Sequence, residues 1–198
     1  MTLEEIVERL KLPKTTVYYW IKDIPIPLTE KQRQQMRQNF GQRKGTQVMQ
    51  AKFATLRDQA YQQGLAEAPE LLKDLSFRDF VVLYMAEGSK RARNSVEFMN
   101  SDVRMVILAN RWIRQFTRKK VTYRVQCHVD HDEDELKQYW ADALGITPTI
   151  ITIMRKSNSG KLSGRQFRSV YGILTVRTGD TYLRARLQAW MDIVAAQW

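Results

Sequence analysis

The chain has a single cysteine, Cys127. No disulfide can form within it, and a cysteine-rich zinc module is excluded. No stretch approaches the roughly 18 consecutive apolar residues that cross a bilayer, so no membrane span is expected. The opening Met1-Thr2-Leu3-Glu4-Glu5 is acidic, unlike a secretory leader, so the expected location is cytoplasmic. Acidic side chains are the other shortage: 21 Asp and Glu stand against 32 Lys and Arg, a formal net charge of +11. A surplus of that size points to nucleic acid, because neutralising phosphates releases their condensed counterions; a membrane surface or an acidic protein is the rival partner. An internal repeat is also lacking. What is present is 198 residues, 43% of them hydrophobic, enough for one domain with a real core and a small appendage.

Thr2-Leu3-Glu4-Glu5 reads as a capping box, with Ile6, Val7 and Leu10 as the apolar face of a short helix. Lys11-Leu12 makes a turn, and Pro13 suits the first position of a second helix, Lys14 to Ile21. Val17 belongs to its buried side, with Trp20 or Ile21. Lys14, Thr15, Thr16, Tyr18 and Tyr19 are left toward solvent. Two short helices with this turn resemble a helix-turn-helix, whose second helix touches base edges in the major groove. Residues 1–27 are expected to form that module, with those five residues contacting DNA; a plain helical hairpin is the alternative. Ile24-Pro25-Ile26-Pro27 cannot continue a helix. Thr29 then caps a polar helical stretch to about Gln63, where Lys31, Arg33, Arg37, Arg43, Lys44, Lys52 and Arg57 outnumber Glu30 and Asp58. Residues 28–70 read as a basic helical linker, either simply solvated or tracking the DNA backbone. Ala66-Glu67-Ala68-Pro69 reads as the boundary before a second domain, 71–198.

That domain opens on a helix. Ser76 and Asp79 resemble a capping box. The apolar run Phe80 to Ala86 is too rich for one stripe, which predicts burial nearly all round. Gly88 reads as the residue past the helix end, where a positive backbone angle suits glycine. Glu87 falls on the last turn, where unpaired carbonyls make the field negative, and a carboxylate there calls for a cation. Lys90, Arg91 and Arg93 follow in a basic loop. Ser95–Asn100 is a short strand, and Ser101-Asp102 caps a helix from Val103 to Phe116 that buries Val103, Ile107, Trp112, Ile113 and Phe116.

The clearest strand comes next. Val121, Tyr123, Val125, Cys127 and Val129 alternate with Thr122, Arg124, Gln126 and His128. Arg suits guanine, Gln suits adenine and Thr can serve either, so the polar face is a candidate reader of base edges, free of acids before Asp130. The acids from Asp130 to Glu135 read as the start of a helix ending at Gly145, whose positive N-terminus favours them; as ligands with His128 they would form a metal set. Two further strands, near 149–155 and 169–177, flank a basic Gly/Ser-rich loop. Arg155, Lys156, Lys161, Arg165 and Arg168 are its candidates for phosphate or groove contacts. A final helix starts near Asp180. The order of elements predicts an α+β domain with helices on one sheet face.

Leu83-Tyr84-Met85-Ala86-Glu87-Gly88-Ser89 resembles the signature helix of the LAGLIDADG homing endonucleases, in the variant ending Ala-Glu-Gly-Ser. The resemblance implies a curved four-stranded antiparallel sheet that saddles DNA, with helices on one face, from about Leu75 onward. In that family two signature helices pack side by side; one copy per chain implies a homodimer through the Phe77–Gly88 helix. By position Glu87 is the metal ligand and Gly88 the closing glycine, and the implied cofactor is a divalent metal, magnesium by expectation. Val82 stands where the family has a small residue for helix contact, and Met85 where it has its first acid. The implied function is sequence-specific binding of double-stranded DNA with metal-dependent strand cleavage. Lys90 and Arg91 would join Glu87 as catalytic residues by stabilising developing charge. The alternative is a non-catalytic transcription regulator built on a degenerate domain of this kind plus a helix-turn-helix.

Overall fold

The computed structural model describes residues 3–23, 29–156 and 169–198, with the backbone alone for residues 30, 33, 34 and 36–44. The chain divides into two compact units, Met1–Met49 and Gln50–Trp198.

In the first unit, α1 (Leu3–Leu10) and α2 (Lys14–Ile21) are joined through Lys11. Lys11 has φ 52, a left-handed conformation that a side chain tolerates poorly. Val17 is buried as expected, whereas Trp20 is 61% exposed and Ile21 only half-buried. Leu10, expected on the apolar face of α1, is exposed too. Lys14 pairs with Glu4 across the turn at 2.7 Å. α3 (Glu30–Leu71) starts at Thr29, whose hydroxyl accepts from the Gln32 amide while its own amide donates to Gln32 Oε1. This is a capping box. The break expected at Ile24–Pro27 and the cap expected at Thr2 lie outside the described residues.

The second unit runs α4 (Leu75–Glu87), β1 (Val96–Asn100), α5 (Val103–Phe116), β2 (Val121–Cys127), α6 (Glu133–Leu144), β3 (Ile151–Arg155), β4 (Ile173–Thr178) and α7 (Thr181–Ala195). Aspartates start four of the helices. Asp74, Asp102, Asp132 and Asp180 accept from backbone amides of the first turns of α4, α5, α6 and α7. The cap of α4 is thus Asp74, with Ser76 as a donor to it rather than the cap itself. The acids after Asp132 occupy the first turn of α6, and Gly145 closes that helix at φ 61.

The sheet has the order β1-β4-β2-β3. β4 is antiparallel to both neighbours, but β2 and β3 are parallel. The sheet is therefore mixed, which corrects the antiparallel expectation. The cause is α6: it returns the chain across the helical face to the end where β2 began, and a parallel neighbour needs such a crossover.

One sheet face is dry. Phe98, Tyr123, Val125, Leu174 and Val176 pack with Phe77, Phe80, Tyr84, Trp112, Ile113, Leu187 and Trp190 of the helices. Phe77 is central to this layer, edge-on to Trp112 and Trp190 with ring centroids 5.1 and 5.0 Å away. α5 turns Val106, Ala109, Trp112 and Ile113 inward, and Ile107 is exposed instead of buried. The boundary read at Ala66–Pro69 falls inside α3. Ala60 and Ala68 are fully buried, and Glu67 accepts from Arg186 of α7 at 2.6 Å, so this end of α3 belongs to the body of the second unit. Pro69 lies in its last turns.

Burial of α4 is one-sided rather than complete. Leu75, Asp79, Val82 and Ala86 share one helical face and are exposed, Leu75 at 72% and Val82 at 38%. Among the described residues no helix is long and apolar enough to cross a membrane.

Candidate nucleic-acid interface

The sheet face opposite the core is open. β2 presents Thr122, Arg124 and Gln126 there, and the pleat of its neighbours adds Thr175 and Arg177 from β4, Glu97 and Met99 from β1, and Met154 from β3. The register brings them together. Arg124 lies opposite Thr175, Thr122 opposite Arg177, Met99 opposite Thr175, and Gln126 beside Met154. These eight residues line a groove of about 280 Å³. Thr122 donates to the Arg177 carbonyl at 3.2 Å, which keeps its oxygen free to accept. Arg177 Nε is 3.3 Å from Glu97 Oε2. Arg124 has no acidic partner among the described residues, so its guanidinium is the uncommitted cation of the face. The acid-free character read from β2 alone does not extend to the whole face, because Glu97 enters from β1.

Sequence reasoning found Thr122, Arg124 and Gln126 but missed Thr175, Arg177, Met99 and Met154. The signal for the first two was present, since Thr175 and Arg177 alternate with Leu174 and Val176 just as the β2 residues alternate with their neighbours. Met99 and Met154 needed the register.

Other expected contacts lie elsewhere. Arg155 has the parity of Ile151 and Ile153 and donates through Nε to Glu133 of α6 at 2.7 Å, so it is not part of the open face. His128 is just past β2, its amide donating to His131 Nδ1 at 3.1 Å. Lys156 is just past β3, its amide tied to the Cys127 carbonyl. Lys161, Arg165 and Arg168 lie outside the described residues. On α2, Lys14 is engaged with Glu4, Thr15 is exposed and Thr16 half-buried. Tyr18 and Tyr19 are exposed with their rings edge to face, 5.9 Å apart.

At the end of α4, Glu87 is exposed and unpartnered among the described residues. The cation that the local field calls for comes from the chain itself: Lys90 Nζ donates to the Met85 carbonyl at 2.6 Å and reaches that of Ala86 at 3.5 Å. Gly88 has φ −71 and ψ 150, so the left-handed conformation expected of it is not there. Its reason is space. A Cβ at Gly88 would lie 2.6 Å from three ring atoms of Tyr84. That ring is fully buried, and its hydroxyl donates to the Ser89 carbonyl at 2.9 Å and accepts the Glu97 amide at 3.3 Å. Burial pushes the Tyr84 phenol pKa above its ordinary value of 10. Arg91 and Arg93 are exposed in the following loop.

No group of three or more His, Cys, Asp or Glu among the described residues could hold a metal ion. Among the described residues, Glu87 belongs to no such group. No family model matches the chain, and no curated protein or solved structure matches it. The likeness of α4 to a LAGLIDADG helix therefore stands on Leu83–Ser89 alone.

Proposed function

We propose that the protein binds double-stranded DNA in a sequence-dependent way, as two copies paired along α4, with the open sheet face laid against base edges. The observation that carries this reading is the groove. Arg124 and Gln126 on one strand, with Thr122 and Thr175 beside them, form a lattice of donors and acceptors. Arg and Gln offer two-point pairing to guanine and adenine, and the methionines offer apolar contact to a thymine methyl. The single acid of the face is already paired with Arg177, in a chain of formal net charge +11. Pairing along α4 is supported by Val82 and Ala86, exposed on one face of a helix whose other side is core. Val82 departs from the resembled family, which has a small residue at that position, so the support is its exposure and not the family pattern. The exposed face of α2, with Thr15, Tyr18 and Tyr19, would add a second set of contacts in the manner of a helix-turn-helix.

The test is selection of bound duplexes from a random library, followed by affinity measurement at rising salt. Affinity should fall by orders of magnitude between about 50 and 200 mM salt. Arg124→Ala should relax base preference at one position per half-site and cost about 1–3 kcal/mol there. A flat salt response, or preferences untouched by both Arg124→Ala and Gln126→Ala, refutes the reading.

A second reading adds strand cleavage, and the exposed, unpartnered Glu87 favours it. Across a two-fold axis along α4, two such carboxylates would hold a divalent ion, magnesium by expectation, which would supply Lewis-acid chemistry at phosphate. Arg91 would be the free base for developing charge, Lys90 being occupied with the α4 carbonyls. If wild type never nicks a duplex that it binds, with magnesium or manganese present, the non-catalytic regulator is the function that remains.

A further inference from the structure

On the helical side of the second unit lies a separate pocket of about 340 Å³. Arg57 and Tyr61 of α3, Lys90 and Arg93 of the loop after α4, and Arg184 and Gln188 of α7 form its wall. Arg184 is its most telling member. It is 6% exposed, with no carboxylate at ion-pair distance among the described residues. Its Nη1 donates to Gln188 Oε1 at 3.1 Å and its Nη2 to the Lys90 carbonyl at 3.3 Å. Its Nε–H has no acceptor among the described residues. A buried guanidinium that meets only neutral acceptors is costly to hold, and an opposite charge offsets that cost best. The rest of the wall deepens the imbalance. Among the described residues, Arg57, Lys90 and Arg93 have no acid at ion-pair distance, and the lining holds one carboxylate, Asp58. Asp192 lies behind the wall, accepting from Tyr61 and Gln188.

We propose that this pocket binds a phosphate group. Guanidinium forks offer paired N–H donors to phosphate oxygens, and the Lys90 ammonium, held on the Met85 and Ala86 carbonyls, adds positive field without being counted as a direct contact. The volume is at the small end of ligand pockets, which suits a phosphate ester rather than a large cofactor. Its source is either a free phosphate ester or a DNA backbone phosphate. The pocket shares no residue with the sheet groove, so the proposal does not depend on DNA reading by that face.

The test uses the full chain titrated with inorganic phosphate against chloride at matched ionic strength, read by calorimetry and by melting temperature. Saturable binding is expected. Arg57→Gln and Arg93→Gln should each weaken it about tenfold, one charge-assisted hydrogen bond apiece, and Arg124→Gln on the sheet should leave it unchanged. Arg184→Gln should abolish it, but that variant risks unfolding, so the two rim variants carry the decision. A backbone phosphate as occupant gives a different pattern: no response to inorganic phosphate, and a salt slope of DNA affinity lowered by about one in each rim variant. The proposal is overturned if phosphate binding persists undiminished in both rim variants. It is equally overturned if wild type shows neither saturable phosphate binding nor a change of salt slope on rim substitution.

Discussion

Gly88→Ala isolates the contact that sets the end of α4. The added methyl would sit 2.6 Å from the Cγ and both Cδ atoms of Tyr84, far inside van der Waals contact. The backbone does not object, since φ −71 and ψ 150 are open to alanine. Relief must come from the ring, which is fully buried and tethered by its hydroxyl to Ser89 and Glu97. Overpacking of this kind costs about 1–3 kcal/mol, and loss of one tether adds about 1 kcal/mol. The expected total is about 2–4 kcal/mol, or roughly 5–15 °C in melting temperature for a unit of this size. Denaturant unfolding of wild type, Gly88→Ala, Tyr84→Leu and the double variant gives the decisive comparison. In the Tyr84→Leu background the alanine should cost less than about 0.5 kcal/mol, because the ring it strikes is gone. An equal cost in both backgrounds would mean that Gly88 serves the backbone instead, and would refute the steric account.

Tyr84 has its pKa raised by burial, so its contribution to stability is fully present below about pH 10 and is lost as pH rises through the folded-state value; Tyr123 shifts the same way through burial and Tyr61 chiefly through its bond to Asp192. Tyr84→Phe should flatten the alkaline fall of urea-unfolding stability by up to one proton, and an unchanged slope would remove Tyr84 from that account. Lys11→Gly should stabilise the turn between α1 and α2 by about 0.5–1 kcal/mol, left-handed strain relieved less the added chain entropy; hydrogen exchange at the Val17 and Lys22 amides should slow, and faster exchange would contradict the reading. Glu87→Gln should raise stability at low salt by about 0.3 kcal/mol, at the exposed end of the range for helix termini, and should abolish any nicking while duplex binding is kept. A large destabilisation would mean that the carboxylate has a structural partner.

Local signals were legible in the sequence where the cause is local. Asp102 begins α5 at Val103 and the helix ends at Phe116 as expected, because a cap and an apolar period both lie within a few residues. The alternation of β2 correctly separated Thr122, Arg124 and Gln126 from Tyr123, Val125 and Cys127. Direction was not legible: alternation is the same in parallel and antiparallel strands, so the β2–β3 pairing had to come from the path of α6. Gly88 was misread because the ring that excludes a side chain there belongs to Tyr84, and its rotamer is a tertiary fact. Burial of α4 was overestimated for a related reason. Apolar content alone does not reveal that Leu75, Val82 and Ala86 share the face left open. The phosphate pocket left one trace, Arg184 beside Leu183 on the core stripe of α7 with Leu187 and Met191. Its distance in sequence from Arg57 and Lys90 hid the rest.

The placement of β4 has a consequence for how the molecule is made. The strand that pairs with both β1 and β2 is the last of the four to leave the ribosome, and Asn100 must wait for Leu174, and Val96 for Thr178, before they are paired. Until then β2 and β3 can close as a local crossover unit, but β1 is left with an unpaired strand edge beside an apolar face. Nascent chains stalled before Thr178 should therefore be the most aggregation-prone species this protein produces and the natural clients of a holdase chaperone. The rate of folding should be governed by a single long loop closure that brings β4 between its neighbours.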